Sequence, residues 1–295
     1  MIADFALGPN QGQGVPAVED TDGLSWDLFP YNISVPIGGH YGGQLPGWGS
    51  FPLHAVTVGL VTQSQNISLP AAATTRGNLV SLVQEGTAPS LPGDLPSSRV
   101  QLTLATDSLR DITNQVTSDG YLDITFSSNL TGIEYNIFVT YLVHSDFRAE
   151  ASPLDLTGPE TSPTSFVQNG SWSVDHYSAA GAMTTTSFWE KYLLDNDTRS
   201  LLEAVGEFGW EDSIEIRSNL QWTQNFSQSF LEDHDYAVNE YLPLFFHQNR
   251  IIFDGEQPIW WITDEADSGN SHIADYRTTV SAMSHDELHH RLMTR

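Results

Sequence analysis

The chain has 295 residues and a formal net charge of −26, from 11 Lys plus Arg against 37 Asp plus Glu. That balance repels a nucleic-acid backbone or an anionic membrane surface at long range, so neither is an expected partner. With no cysteine there is no disulfide, thiolate metal site or cysteine nucleophile, and a chain of this length can build its core without such staples.

In chain order, Ile2–Leu7 (IADFAL) predicts one buried strand, stopped by Gly8-Pro9-Asn10. The following G-Q-G-Q-G has neither dinucleotide-fingerprint spacing nor the Lys-Ser/Thr pair of a P-loop, so it reads as a turn or a close backbone approach. The first residues lack the basic start and long apolar run of a signal peptide. A secreted protein would therefore have its true start upstream.

From 31 to 151 the texture changes. HAVTVGLVTQSQ, GNLVSLVQEG, RVQLTLATDS, GYLDITFSSN and YNIFVTYLVHSD are β-branched, alternating runs separated by Gly, Pro, Asn and Ser. They predict an antiparallel sandwich or half-barrel. Leu109–Gln115 reads as a short helical turn. Tyr41 and Trp48 have two readings, stacking on a planar or sugar ligand and packing within a turn.

A Pro/Thr/Ser-rich stretch at 152–169 reads as linker or surface loop. Ser171–His176 predicts a strand and Thr185–Leu194 a helix, followed by a second helix from Thr198 to Val205. Trp210–Ile216 predicts a buried strand end. A helix follows from about Asn225, with Pro243 interrupting or ending it. PIWWIT (258–263) predicts another strand, and the last segment looks helical from Tyr276. No stretch approaches the ~18 apolar residues of a spanning helix.

The chemistry concentrates after these strands. Glu211, Asp212 and Glu215 fall within five positions at a strand's end, where β/α folds build active-site edges; a solvated turn is the alternative. A Trp210 or Trp222 face beside Glu215 would stack on a sugar and lower the local dielectric, raising the carboxyl pKa as a general acid requires. Glycoside hydrolysis needs a second carboxyl across the scissile bond. The candidates are Glu265, Asp264 and Asp267 in the acidic loop after PIWWIT, which also reads as a solvated turn. Asp175 and His176 end a predicted strand, and alternation would turn one of them towards a central pocket. Their types suit hydrogen bonding to polyol hydroxyls, or equally capping and core bonding.

No H-E-x-x-H occurs among the ten histidines, and no G-x-S-x-G elbow marks a serine hydrolase. The loop DEADSG offers carboxylates for calcium but lacks the EF-hand continuation, so no cofactor is assigned and calcium stays an open expectation. Asn32, Asn66, Asn129, Asn169, Asn196 and Asn225 each begin an Asn-X-Ser/Thr triplet. That density points to a secreted eukaryotic glycoprotein, with chance recurrence as the alternative.

DSIEIRSNLQWTQNFSQSFLEDHDYAVNEYLPLF resembles the D-S-x-E … W-T-x-x-F … Y-L-P stretch of the α-L-rhamnosidase-like glycoside hydrolases (family 106 and its fungal relatives). WSVDHYSAAGA with FWEKYLL is similar to the family's preceding strand and helix, and DFALGPNQGQGVP to an earlier barrel strand. The resemblance implies a (β/α)₈ catalytic barrel with β-sandwich domains, inverting release of terminal α-L-rhamnose, and calcium in some members. It also implies Glu215 as general acid, Asp212 and Trp222 as neighbouring motif positions, and Asp175 and His176 on the strand before. The second carboxylate is Glu265 or lies beyond Arg295. About four of the eight expected β/α units can be counted.

The expected fold class is therefore α/β plus β: a partial (β/α)8-type barrel with a large antiparallel β-sandwich-like insertion or domain. The expected divisions are 1–30 as the first barrel strand and loop, 31–151 as the sandwich-like domain, and 152–295 as the β/α units of an incomplete barrel. The expected function is a secreted glycosidase with Glu215 and Glu265 catalytic and Asp175, His176, Asp212 and Trp222 binding substrate. The alternative is a non-catalytic carbohydrate-binding or structural module. A chain cut from a longer protein would have little turnover by itself.

Overall fold

The computed structural model describes residues 23, 25–68, 98–144, 175–192, 194–206, 220–246, 261–263 and 271–293. They form a mixed α/β fold. The strands are β1 (Trp26–Pro36), β2 (His40–Gln44), β3 (Leu53–Ser68), β4 (Ser98–Asp111), β5 (Tyr121–Thr125), β6 (Glu134–His144), β7 (Gln221–Trp222) and β8 (Trp261–Thr263). The helices are α1 (Ala179–Tyr192), α2 (Asn196–Val205), α3 (Phe226–His234), α4 (Leu242–Phe245) and α5 (Ser271–Met293). Two compact units divide the chain, one of residues 27–143 with 217–278, the other of 1–26, 144–216 and 279–295.

In the first unit a six-stranded sheet runs in the order β7-β1-β6-β3-β4-β8, and β2 pairs with β5 in a separate ribbon. β6 lies between β1 and β3, and its residues Tyr135 to Tyr141 are all buried. A strand covered on both faces needs a continuous apolar run rather than strict alternation, and EYNIFVTYLVH supplies one. The antiparallel register sets Val56 against Val139, Val58 against Ile137 and Leu60 against Tyr135. All six side chains enter one core cluster with Phe29, Tyr31, Ile33 and Val35 of β1. Leu122, Tyr41 and Ile124 of the ribbon pack on that same cluster. The sheet and ribbon thus enclose the core between two β layers.

A second apolar layer is helical. Trp222 lies 4.2 Å from Phe226 between ring centroids, Phe226 lies 5.4 Å from Tyr276, and Phe245 stacks on Tyr276 at 4.8 Å. Thr57 Oγ1 on β3 donates to the Asn239 carbonyl at 2.7 Å, tying this layer to the sheet. No described helix is long and apolar enough to cross a membrane.

Several elements differ from the sequence expectation. The described residues show no closed barrel. Of the four strands expected in one, Trp261–Thr263 pairs in parallel with β4 and so joins the β-rich sheet; residues 2–7, 171–174 and 211–216 lie outside the described residues, as does GNLVSLVQEG. Leu109–Asp111 continues β4, leaving only a 3-10 turn at Thr113–Gln115. α3 ends at His234 rather than near Pro243, because Asp235 takes the left-handed conformation at φ 61°. Pro243 instead occupies the first turn of α4, where its missing N–H is not needed. α5 begins at Ser271, five residues ahead of the expected Tyr276.

Candidate functional site

The segment carrying Asp175 and His176 is a turn into α1, not the end of a strand. The Asp175 N–H donates to the Gly23 carbonyl at 2.9 Å, and its Oδ1 accepts the Tyr177 N–H at 2.9 Å. This is the local side-chain-to-backbone bond that makes aspartate a turn residue. Ser178 Oγ then accepts the Gly181 N–H at 3.2 Å and caps the helix. The turn sits so close on α1 that a Cβ at Gly181 would stand 1.8 Å from the Asp175 carbonyl oxygen. Asp175 and His176 are each 1 % exposed, so alternation does not send one of them into a pocket; both are enclosed.

Trp222 belongs to β7 rather than to a loop. The Leu28 N–H donates to the Leu220 carbonyl at 3.3 Å, and the Leu220 N–H donates to Asp27 Oδ1 at 2.8 Å. The ring is 1 % exposed, with Phe226 tilted against it and His54 edge-on at 5.0 Å. Its buried Nε1–H has no hydrogen-bond partner among the described residues. In this state the indole is a core ring. His54 Nε2 lies 3.4 Å from Ser227 Oγ, which donates to Asn239 Oδ1 at 3.3 Å. Burial holds the His54 pKa down at about 4, against the raising effects of Asn239 and the Asp111 charge. His54 is accordingly a neutral imidazole at physiological pH.

A second polar group joins the end of α3 to the start of α5. The Tyr236 hydroxyl donates to Asp275 Oδ2 at 2.8 Å, and His272 Nδ1 lies 2.9 Å from that Tyr236 hydroxyl oxygen. With the hydroxyl proton committed to the carboxylate, Nδ1 is the donor that completes the pattern. His234 Nδ1 approaches Asp275 Oδ1 at 3.7 Å. Tyr241 stacks on His272 at 3.8 Å and 15°. Burial first, then the Asp275 hydrogen bond and charge, push the Tyr236 pKa well above its ordinary value. The phenol is therefore a fixed donor and not a base. Sequence reasoning missed this group. The spacing His272-x-x-Asp275 marks one helix face, but with the helix expected only from Tyr276 neither residue was placed on it.

Glu215, Asp212 and Glu265 lie outside the described residues, together with Glu211, Asp264, Asp267 and Trp210. The loop weighed for calcium also lies outside them, and no grouping of three or more His, Asp or Glu fit for a metal occurs among the described residues.

With this geometry in view, the comparisons are informative about fold. The chain is similar to the structure of a rhamnosidase from Novosphingobium sp. PP1Y, with a TM-score of 0.50 and 12% sequence identity. The match covers 94% of this chain but 36% of that one, so the chain spans about a third of the rhamnosidase's length. The similarity to a rhamnosidase-type glycoside hydrolase fold is weak and partial, and it assigns no family. No family model matches the sequence, and no curated protein matches it.

Proposed function

We propose that the chain is part of a secreted glycoside hydrolase that releases terminal α-L-rhamnose, or a similar deoxy sugar, from glycans. The observation that carries this reading is the likeness to a rhamnosidase across 94% of the chain. The D-S-x-E stretch at Asp212–Glu215 supports it from the sequence side. In the reaction, Glu215 protonates the leaving glycosidic oxygen while a second carboxylate activates water on the opposite face, inverting the anomeric carbon. Glu265 takes the second role if this chain supplies it. Asp212 is assigned to hydroxyl binding beside Glu215. Asp175, His176 and Trp222 are each 1 % exposed, so direct stacking or bonding to sugar is not assigned to them.

Hydrolysis of an aryl α-L-rhamnoside by the wild-type chain and Glu215→Gln tests the reading. General acid catalysis contributes on the order of 10²–10⁴-fold, so a loss of about that size is expected on the oxygen-linked substrate. Equal turnover removes Glu215 from the acid role. Saturable rhamnoside binding without turnover favours the binding-module alternative, and the absence of both binding and turnover overturns the carbohydrate reading of the site.

A further inference from the structure

The β2/β5 ribbon turns one face to solvent. Its register sets His40 opposite Thr125, Gly42 opposite Asp123 and Gln44 opposite Tyr121. Alternation exposes these six, while Leu122, Tyr41 and Ile124 pack on the core. Gly42 leaves a gap in the exposed row, and its neighbours lean over the gap. A Cβ there would stand 2.7 Å from His40 Cε1 and 3.3 Å from the Tyr121 hydroxyl. His40 Nε2 lies 3.1 Å from Asp123 Oδ1. Tyr121 keeps 42 % of its surface exposed. An imidazole, a carboxylate and a phenol ring thus converge above one glycine.

We propose that this face binds an uncharged glycan, with Tyr121 packed on the apolar C–H face of a sugar ring and the His40–Asp123 pair bonding adjacent hydroxyls. The groups suit that ligand for separate reasons. A tyrosine ring offers a large apolar face with a polar tip. The carboxylate accepts, and the imidazole both donates and accepts, so together they match a vicinal diol. The missing Cβ at Gly42 instead lets His40 and the Tyr121 hydroxyl close together over the strand. The face carries no Lys or Arg, and the chain's charge of −26 disfavours uronate or sulfated sugars. The ribbon's residues, 40–44 and 121–125, include none of the carboxylates proposed for bond cleavage, so this proposal does not rest on the hydrolytic reading.

The test is affinity electrophoresis of the 295-residue chain in native gels containing a galactomannan, a xyloglucan, a β-glucan or a rhamnan, with polygalacturonate as the anionic control. Retardation by at least one uncharged polysaccharide is expected. Tyr121→Ala and Asp123→Ala should weaken it about tenfold each, the size of one aromatic or polar contact of about 1.4 kcal/mol. Gly42→Gln, which fills the gap from the solvent side, should do the same with an unchanged unfolding midpoint. Glu215→Gln should be retarded like wild type, separating this site from the cleavage site. Failure of every uncharged polysaccharide to retard the chain, equal retardation of the three ribbon variants, or retardation by polygalacturonate alone would overturn the proposal.

Discussion

His54 shows how one half-buried side chain couples the fold to pH. Burial holds it neutral, with its pKa lowered from 6.5 to about 4. The unfolded chain takes up the proton near the ordinary value and the folded chain does not, so acid favours unfolding. Stability from this group is fully present above about pH 6.5 and is lost as pH falls towards 4. Between pH 7 and 5 the loss is roughly 2 kcal/mol, since each pH unit between the two pKa values is worth about 1.36 kcal/mol. Urea titrations of wild type and His54→Gln at pH 7 and pH 5 should show the wild type losing more stability on acidification by about that amount. Parallel losses in the two proteins would mean that the imidazole is not desolvated. Nothing local in HAVTVGL announces this role. Ser227, which His54 meets, is 173 positions away, and alternation along a strand reveals which face a residue takes, not what lies across it.

At the scale of elements, the turn at Asp175–Ser178 and helix α1 form one interlocked unit. Gly181 is buried against the Asp175 carbonyl, with room for a hydrogen but not a methyl group. Gly181→Ala gains helix propensity, worth up to about 1 kcal/mol. It also forces backbone apart, and overpacking of that kind costs typically about 1–3 kcal/mol or more. The clash wins, so the variant should be less stable by about 2 kcal/mol or more, read as a lowered urea midpoint. A gain in stability would show that the turn does not lie on the helix. The sequence hid this unit because Ala179-Ala180-Gly181 looks like loop, and a helix containing glycine at its third position starts later by propensity alone. β3, β4 and β6 were legible because their β-branched runs persist through both faces. The partner of β8 was not. Three residues, Trp261–Thr263, declare a strand, yet their pairing with β4 depends on chain folding over a long separation. Asp235 likewise ends α3 through a left-handed conformation for which glycine is the usual marker.

For the whole molecule, the charge of −26 and the recurring Asn-X-Ser/Thr triplets support the proposal of secretion, and the structure sharpens which triplets would be modified. Glycan transfer requires the asparagine amide to reach an enzyme, and a modified side chain must remain outside the folded surface. Asn129 lies exposed in the bend before β6, Asn196 is exposed at the start of α2, and Asn225 is exposed immediately ahead of α3. Asn32 is different. It lies half-buried within the paired strand β1, with its Oδ1 enclosed, so its backbone offers no loop and its side chain is held against the fold. Asn66 lies within β3, paired with Val100 of β4, which leaves its backbone no loop to offer; Asn169 lies outside the described residues. Enzymatic deglycosylation in heavy-oxygen water converts a glycan-bearing Asn to labelled Asp. Peptide mapping of protein from a eukaryotic secretory host should therefore find the label at Asn129, Asn196 and Asn225 and not at Asn32. Label at Asn32 in folded material would contradict its enclosure within β1. Absence of label at all three exposed positions would remove the glycosylation argument for secretion and leave only the acidic composition behind it.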